Sequence, residues 1–166
     1  MDFTHGSGAF LVKAMSNMIE GAGGVDTNKA KEIKAERLFG IESDRQIFTL
    51  ACVNMLIHKD GKTNLELLDS RTYEADSWIT SKPINKILMN PPFESKYGCL
   101  DILKNTLNNV KNGALAAIIL PDKKLEKESK KKVKELLSKN RIHKIIKLPE
   151  KLDDFINYFQ EKIRKQ

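Results

Sequence analysis

The chain has 166 residues, a length that fits one ordinary domain, and its 40% apolar content is sufficient for a hydrophobic core. No run approaches the roughly 20 apolar residues that a membrane span needs, and the first residues lack the features of a secretory signal peptide. Two cysteines, Cys52 and Cys99, are too few for a disulfide framework and favour a reducing, cytoplasmic location. The three histidines show no metal-ligand spacing, so we expect no metal site.

The positive charge is concentrated in one stretch of the chain. The sequence has 29 lysines and arginines against 22 acidic residues, a net charge of +7. Residues 123–139 alone contain eight lysines and three glutamates. This stretch fits the solvated face of an amphipathic helix, and it also fits a sequence-independent contact surface for nucleic-acid phosphates. Charge composition leaves both interpretations open.

The predicted elements alternate between helices and short apolar strands. The first half is predicted to form a helix over 9–19, a loop over 21–27, a short charged helix over 28–36, a strand over 37–42, a helix over 45–58 begun by Asp44, and a strand over 64–68. The second half is predicted to form strands over 84–89, 114–120 (buried) and 143–148, with helices over 100–110, 124–139 and 151–166. This alternation predicts an α/β fold with a mostly parallel sheet and helices on both faces.

Polar residues at the ends of the predicted strands are the candidate binding residues, because open parallel sheets bind ligands outside the carboxyl ends of their strands. Gly6 and Gly8 precede the first helix and would let the backbone approach a ligand, although a simple tight turn fits equally well. Glu42 is placed to accept two ribose hydroxyls, unless it is an ordinary exposed acid near Arg45. Asp69 is placed to accept a hydrogen bond from an adenine amine, or it is a turn aspartate.

The segment Asn90-Pro91-Pro92-Phe93 directly follows an apolar strand and is the most specific signal in the sequence. The Asn90 side-chain oxygen and the Pro91 carbonyl can accept both hydrogens of a planar amine. This localises the nitrogen lone pair and directs it at a methyl donor, while the prolines fix the backbone. Phe93 offers a face on which a planar base can stack. A plain turn with two prolines is the less favoured alternative.

Five motifs in order resemble the methylase (modification) subunit of type I restriction–modification systems, a family of adenine-specific DNA methyltransferases. The motifs are Asp2-Phe3-Thr4-His5-Gly6-Ser7-Gly8, Gly40-Ile41-Glu42, Asn54-Met55-Leu56-Ile57-His58, Asn90–Phe93, and the two strand ends Leu120-Pro121 and Leu148–Leu152. The resemblance extends over about residues 2–152. Phe3 and His5 stand where the family has proline and cysteine.

The resemblance implies a Rossmann-like methyltransferase sheet with S-adenosylmethionine as the cofactor. Asp2, Thr4, Gly6 and Gly8 would face its methionine part, Glu42 its ribose and Asp69 its adenine. Asn90, Pro91, Pro92 and Phe93 would form the catalytic motif for a flipped adenine. The implied partners are DNA and the specificity and restriction subunits of a type I complex, with no membrane.

The resemblance also sets the expected domain organisation. We expect a partial methyltransferase core over residues 1–152, incomplete at both ends, and a helical tail over 153–166. A sheet that lacks a strand exposes unpaired backbone, so we expect marginal stability or dependence on a partner. Two other functions stay open: a non-catalytic methyltransferase remnant, and an enzyme that methylates an RNA base or a protein amide.

Overall fold

The computed structural model of the chain describes residues 8–59, 64–91, 98–121 and 124–148. Within these ranges the helices are α1 (Ala9–Gly21), α2 (Asn28–Glu36), α3 (Arg45–Ile57), α4 (Tyr73–Thr80), α5 (Cys99–Asn109), α6 (Lys124–Lys127) and α7 (Lys130–Lys139). The strands are β1 (Gly40–Glu42), β2 (Leu65–Leu67), β3 (Lys86–Met89) and β4 (Leu115–Ile118). The chain divides into two compact units, with the division after Lys124. No helix in the described ranges has both the length and the apolar character to cross a membrane.

The four strands form two parallel pairs, as the predicted α/β class requires. β1 pairs with β2 in the register Gly40 to Leu65 and Glu42 to Leu67. β3 pairs with β4 from Lys86 opposite Leu115 to Met89 opposite Ile118. Parallel neighbours need a crossover connection, and α3 supplies it for the first pair while α5 supplies it for the second. Within each pair the carboxyl ends of the strands therefore point to the same edge.

Side-chain caps begin several of the helices. The Asp44 carboxylate accepts hydrogen bonds from the backbone N–H groups of Gln46 and Ile47, at 2.8 and 3.0 Å, so the predicted cap of α3 is confirmed. The Thr27 hydroxyl likewise accepts from the Ala30 N–H at 3.0 Å, at the start of α2. These caps satisfy backbone donors that have no partner inside the helix.

One hydrophobic cluster of the first unit is built from α1, α2, α3, β2 and the segment before β1. Its buried members are Leu11, Met15, Ile19, Ala30, Ile33, Leu38, Ala51, Met55 and Leu65. From α3, Ala51 and Met55 are buried, while Phe48 and Cys52 pack against the cluster half-buried. Not every apolar residue of α3 is covered, since Ile47 and Leu56 are 38% and 70% exposed.

A second set of contacts connects α4 and α5. The Asn105 side-chain amide donates to the Ser70 carbonyl at 2.8 Å and to the Asp76 carboxylate at 2.5 Å. The Asn109 amide donates to the same Asp76 oxygen at 2.8 Å. Two helices and the turn after β2 are therefore joined by one half-buried polar network.

Helix α4 corrects the sequence prediction, which placed two successive strands here without a helix between them. The Thr72 hydroxyl caps this helix by accepting from the Ala75 N–H at 3.3 Å. Acidic residues Glu74 and Asp76 occupy its first turn, where they complement the helix dipole. The helix is only eight residues long and its buried stripe is Ala75 and Ile79, so the apolar periodicity was too short to reveal it.

Three further predictions for the second half differ from the structure. The predicted helix over 124–139 is two helices, because Ser129 begins α7 by accepting from the Lys132 N–H at 3.3 Å. The predicted strand over 143–148 has no regular secondary structure. The predicted buried strand over 114–120 is shorter, and Leu115 is 46% exposed. A strand needs a paired neighbour and a covered face; among the described strands β4 pairs with β3 alone.

The predicted helix over 151–166 and the predicted boundary after 152 lie outside the described residues.

Gly8 gives the first testable prediction. This buried residue precedes α1 with φ of 80°, a left-handed conformation that side-chain-bearing residues adopt at a cost. A methyl group there would lie 3.6 Å from the Ala51 Cβ, an ordinary contact, so the backbone supplies the penalty. We expect Gly8→Ala to lower the free energy of unfolding by about 1–2 kcal/mol in urea titrations.

Gly21→Ala is the matched control for Gly8→Ala. Gly21 ends the same helix, and a Cβ there would meet no atom within 4 Å. Its substitution is expected to raise stability by up to about 1 kcal/mol, because alanine loses less conformational entropy in a helix. Equal effects of the two substitutions would contradict the assignment of a conformational role to Gly8.

The polar network gives the second prediction. Asn105→Ala removes a donor to the carbonyl of the buried Ser70 and one of the two amide donors to the half-buried Asp76 carboxylate. We expect a loss of about 1–3 kcal/mol in the free energy of unfolding. Asn108→Ala, on the exposed side of the same helix, serves as the control and is expected to change stability by less than about 0.5 kcal/mol.

Candidate active site

Two predicted binding residues stand at the carboxyl ends of neighbouring strands. Glu42 is the last residue of β1, and its carbonyl accepts a hydrogen bond from the Leu68 N–H at 2.9 Å. Asp69 is the next residue after Leu68. The structure therefore brings the Glu42 and Asp69 segments together at one edge of the β1–β2 pair.

The Glu42 carboxylate is oriented by the start of α3. Its Oε1 atom accepts from the backbone N–H groups of Ser43 and Asp44, at 2.8 and 3.0 Å. The side chain is half-buried. Two backbone donors that directly follow the strand end therefore hold this carboxylate in place. A carboxylate is an acceptor suited to paired hydroxyls.

The Asp69 carboxylate is held by Arg71, a contact that sequence reasoning missed. Asp69 Oδ1 accepts from the Arg71 backbone N–H at 3.0 Å and from its Nε at 2.8 Å, while Oδ2 accepts from Nη2 at 2.6 Å. The Arg71 side-chain hydrogen bonds hold the pKa of the Asp69 carboxyl below its usual range. Asp69 is thus an ionised acceptor. Since a carboxylate has about four lone-pair sites, it can accept a further donor beside Arg71.

Gly8 is the member of the first motif that the structure describes, and Asp2, Thr4 and Gly6 lie outside the described residues. Gly8 forms the predicted turn before α1, and its carbonyl accepts the Val12 N–H at 3.0 Å. Its backbone lies close to Ala51 of α3. The left-handed backbone conformation explains this glycine, and a role in ligand binding stays a prediction.

Asn90 and Pro91 lie immediately beyond β3. The Met89 carbonyl accepts from the Ile119 N–H at 2.9 Å, so strand pairing reaches Met89 and stops there. Asn90 is exposed and Pro91 is buried. The exposed Asn90 side chain, next to a proline fixed by burial, can present its amide oxygen to a ligand. Pro92 and Phe93 lie outside the described residues.

Asn105 supports the Asp69 turn from α5. It donates to the carbonyl of Ser70, the residue after Asp69, and Ser70 is only 6% exposed. Sequence reasoning assigned no role to Asn105 or Asp76, because their contact spans 29 residues. The spacing of Asp69 and Arg71, two residues apart, is a local signal from which the restrained Asp69 carboxylate could have been predicted.

The thiols and potential metal ligands of the described ranges show no further site. Cys52 and Cys99 are both free thiols. Burial raises the pKa of the Cys52 thiol, which keeps it protonated. In the same ranges no group of three histidine, cysteine or acidic residues is placed to hold a metal ion.

The Asp69–Arg71 pair gives a pH-dependent prediction. The pKa of Asp69 is lower in the folded chain than in the unfolded chain, so the pair adds stability above the unfolded pKa and loses it as pH falls through the folded one. The pair is partly exposed, and we expect Asp69→Asn to cost about 0.2–1 kcal/mol at pH 7. Urea titrations of the parent chain and the variant at pH 7 and near pH 3 measure the difference in their free energies of unfolding. This difference should be smaller near pH 3, and an equal difference at both pH values would contradict the stabilising role of the pair.

Comparison with known proteins identifies the family and the fold. The family model described as N-6 DNA Methylase matches residues 1–112. The type II restriction enzyme and methyltransferase RM.BcgI of Heyndrickxia coagulans is 41% identical over 93 residues, which are 56% of this chain and 14% of that protein.

Two solved structures share the fold. The M protein of the type I restriction enzyme EcoKI matches with a TM-score of 0.67 at 19% identity, covering 81% of this chain and 32% of its own. TrmN from Thermus thermophilus matches with a TM-score of 0.52 at 20% identity, covering 72% and 32%. The predicted methyltransferase fold class is confirmed. The chain spans about a third of the length of each of these two solved proteins. Since the family model matches well over half of its residues, the chain belongs to the N-6 DNA methylase family.

Proposed function

We propose that this chain provides the catalytic core for methylation of the exocyclic amine of adenine in DNA, within a modification enzyme of a restriction–modification system. The observation that supports this most directly is the position of Asn90-Pro91, one residue beyond a strand of a parallel pair. Glu42 and Asp69 end the other parallel pair. Folds with an open parallel sheet bind their ligands outside the carboxyl ends of the strands, where these residues lie.

The cofactor proposed is S-adenosylmethionine, which supplies the methyl group. The donor and acceptor chemistry of the site fits this cofactor. Glu42 offers a fixed carboxylate for two ribose hydroxyls, and Asp69 offers an ionised carboxylate for an adenine amine. In this arrangement Arg71 keeps Asp69 charged and oriented.

In the proposed reaction, Asn90 and Pro91 act on the amine of the substrate base. The Asn90 side-chain oxygen and the Pro91 carbonyl would accept one amine hydrogen each. The amine lone pair is then withdrawn from conjugation with the ring and directed out of its plane. A general base of unusual pKa is not required, because the proton can leave after the new bond has formed. Phe93 would stack on the base.

The enzyme type proposed is the methylase subunit of a type I system, with separate specificity and restriction subunits as partners. The order of the sequence motifs and the fold shared with the EcoKI M protein support this. The similarity to RM.BcgI, whose name joins restriction enzyme and methyltransferase, favours a type II enzyme as the second candidate. Copurification with a separate specificity subunit would support the first arrangement, and methyl transfer by a chain that needs no such subunit would support the second.

The proposed roles predict different effects for two substitutions. Calorimetric titration of S-adenosylmethionine into the 166-residue chain is expected to give a Kd between low micromolar and sub-millimolar, about −8 to −5 kcal/mol. Glu42→Ala should weaken this binding about tenfold or more, because it removes a charged acceptor. Asn90→Ala should leave cofactor binding nearly intact and lower methyl transfer to duplex DNA about 100-fold or more, because it removes a transition-state contact.

The matched controls are Glu66→Ala and Asn85→Ala. Both residues are exposed; Glu66 lies on β2, which pairs with β1, and Asn85 directly precedes β3. Both should behave like the parent chain in both assays. A folded parent chain that binds no S-adenosylmethionine would overturn the proposal in favour of a non-catalytic remnant. Methyl transfer to RNA or to a protein amide in place of DNA would overturn the substrate assignment alone.

A further inference from the structure

The net charge of the chain resides almost entirely in its second unit. Residues 1–124 have 16 lysines and arginines against 15 acidic residues. The described part of the second unit, residues 125–148, has nine against three glutamates, a net charge of +6. Such a separation creates a strong positive field over one small unit and leaves the larger one nearly neutral.

Helix α7 carries the densest part of this charge on its exposed side. Lys130, Lys131 and Lys134 are all exposed, and their helical spacing places them within an arc of about 100°. Leu136 is buried and Val133 half-buried on the opposite side. The ten residues of α7 extend about 15 Å at 1.5 Å per residue.

The lysines at the start of α7 do not stabilise this helix. The first turn of a helix favours acidic residues, because the helix dipole is positive there, yet the first turn of α7 has Lys130, Lys131 and Lys132 and no acid. Lys132 pairs with Glu128 at 3.8 Å. No carboxylate among the described residues pairs with Lys130, Lys131 or Lys134. A bound anion would relieve the repulsion that these side chains impose on each other.

The segment after α7 extends the same charge. Arg141, Lys144 and Lys147 recur every third residue in a stretch without regular secondary structure, and all three are exposed. We refer to Lys130, Lys131, Lys134, Arg141, Lys144 and Lys147 as the basic surface. Its side chains are exposed long cations, the type that contacts phosphates without reading base edges.

We propose that the basic surface binds the phosphodiester backbone of duplex DNA, independently of sequence. Duplex DNA carries about one negative charge per 1.7 Å of its axis, so a helix of this length meets several phosphates at once. The choice of DNA over other polyanions rests on the proposed function; the location of the contact rests on charge and exposure alone. The surface anchors the substrate, while the strand-end site carries out the chemistry.

The test compares two triple variants of the 166-residue chain with the same change in charge. One carries Lys130→Gln, Lys131→Gln and Lys134→Gln in α7. The matched control carries Lys13→Gln, Lys29→Gln and Lys31→Gln, exposed lysines of α1 and α2 in the first unit. Glutamine keeps helix propensity close to that of lysine, and circular dichroism verifies that both variants fold.

Binding to a mixed-sequence DNA duplex of about 20 base pairs is measured by fluorescence anisotropy between about 50 and 200 mM salt. The α7 variant should bind at least about tenfold more weakly at about 100 mM salt, and the slope of log K against log salt should fall by about 2 to 3. The control variant should change affinity less than about threefold. Equal losses in the two variants, or unchanged binding in the α7 variant, would overturn the proposal.

Two more measurements separate this proposal from the proposed function. Tighter binding to an RNA duplex of equal length would overturn the assignment to DNA. Titration of S-adenosylmethionine into the α7 variant should give the affinity of the parent chain. If the parent chain binds DNA through the basic surface but binds no S-adenosylmethionine, the proposed function fails while the assignment of this surface stands.

Discussion

The hydrogen bond from the Leu68 N–H to the Glu42 carbonyl, at 2.9 Å, completes the pairing of β1 and β2 and determines where the candidate site lies. In this register Glu42 ends one strand and Asp69 follows the other. A shift of one residue would turn every side chain of the shifted strand to the opposite face of the sheet. The register therefore positions the two carboxylates, and their immediate partners, the backbone at Ser43 and Asp44 and the Arg71 side chain, then set the orientation of each.

Helix α4 and its contacts join the two strand pairs. Trp78 of this helix packs edge-to-face against Phe39, just before β1, with ring centroids 6.2 Å apart, and the Lys82 ammonium lies 5.1 Å from the Trp78 ring. Asp76, on the same helix, accepts from Asn105 of α5. α4 thus contacts the segment that enters β1 and the crossover helix between β3 and β4. The turn that carries Asp69 is held by the Asn105 amide, which donates to the Ser70 carbonyl, and by the Thr72 hydroxyl, which donates to the Asp69 carbonyl. These contacts give a binding residue the rigid surroundings that precise recognition requires.

The sequence predicted those features that depend on nearby residues. Asp44 caps α3 within three residues, and the apolar run before Asn90 defines β3, so both were identified. Arg71 and Asn105 were missed because a side-chain contact depends on rotamers and on elements far apart along the chain. The strand predicted over 143–148 was wrong for a related reason. Its isoleucines favour a strand locally, but a strand forms only where a neighbour pairs with it, and Ile145 is instead 77% exposed.

The separation of charge between the two units has a physical consequence for how a methylase of this family would engage DNA. Attraction to phosphates depends on net charge and decays within about 8–10 Å at physiological salt. Cations that lie close together on one surface therefore attract a phosphate more strongly than the same cations spread over the chain. Selection of a cofactor and a base depends instead on fixed acceptors at short range, and a nearby excess of cations would compete for those acceptors. A nearly neutral first unit, in which Arg71 neutralises Asp69 locally, avoids that competition. With the strand-end acceptors in a nearly neutral unit and the excess positive charge in the other unit, these two electrostatic requirements would not oppose each other.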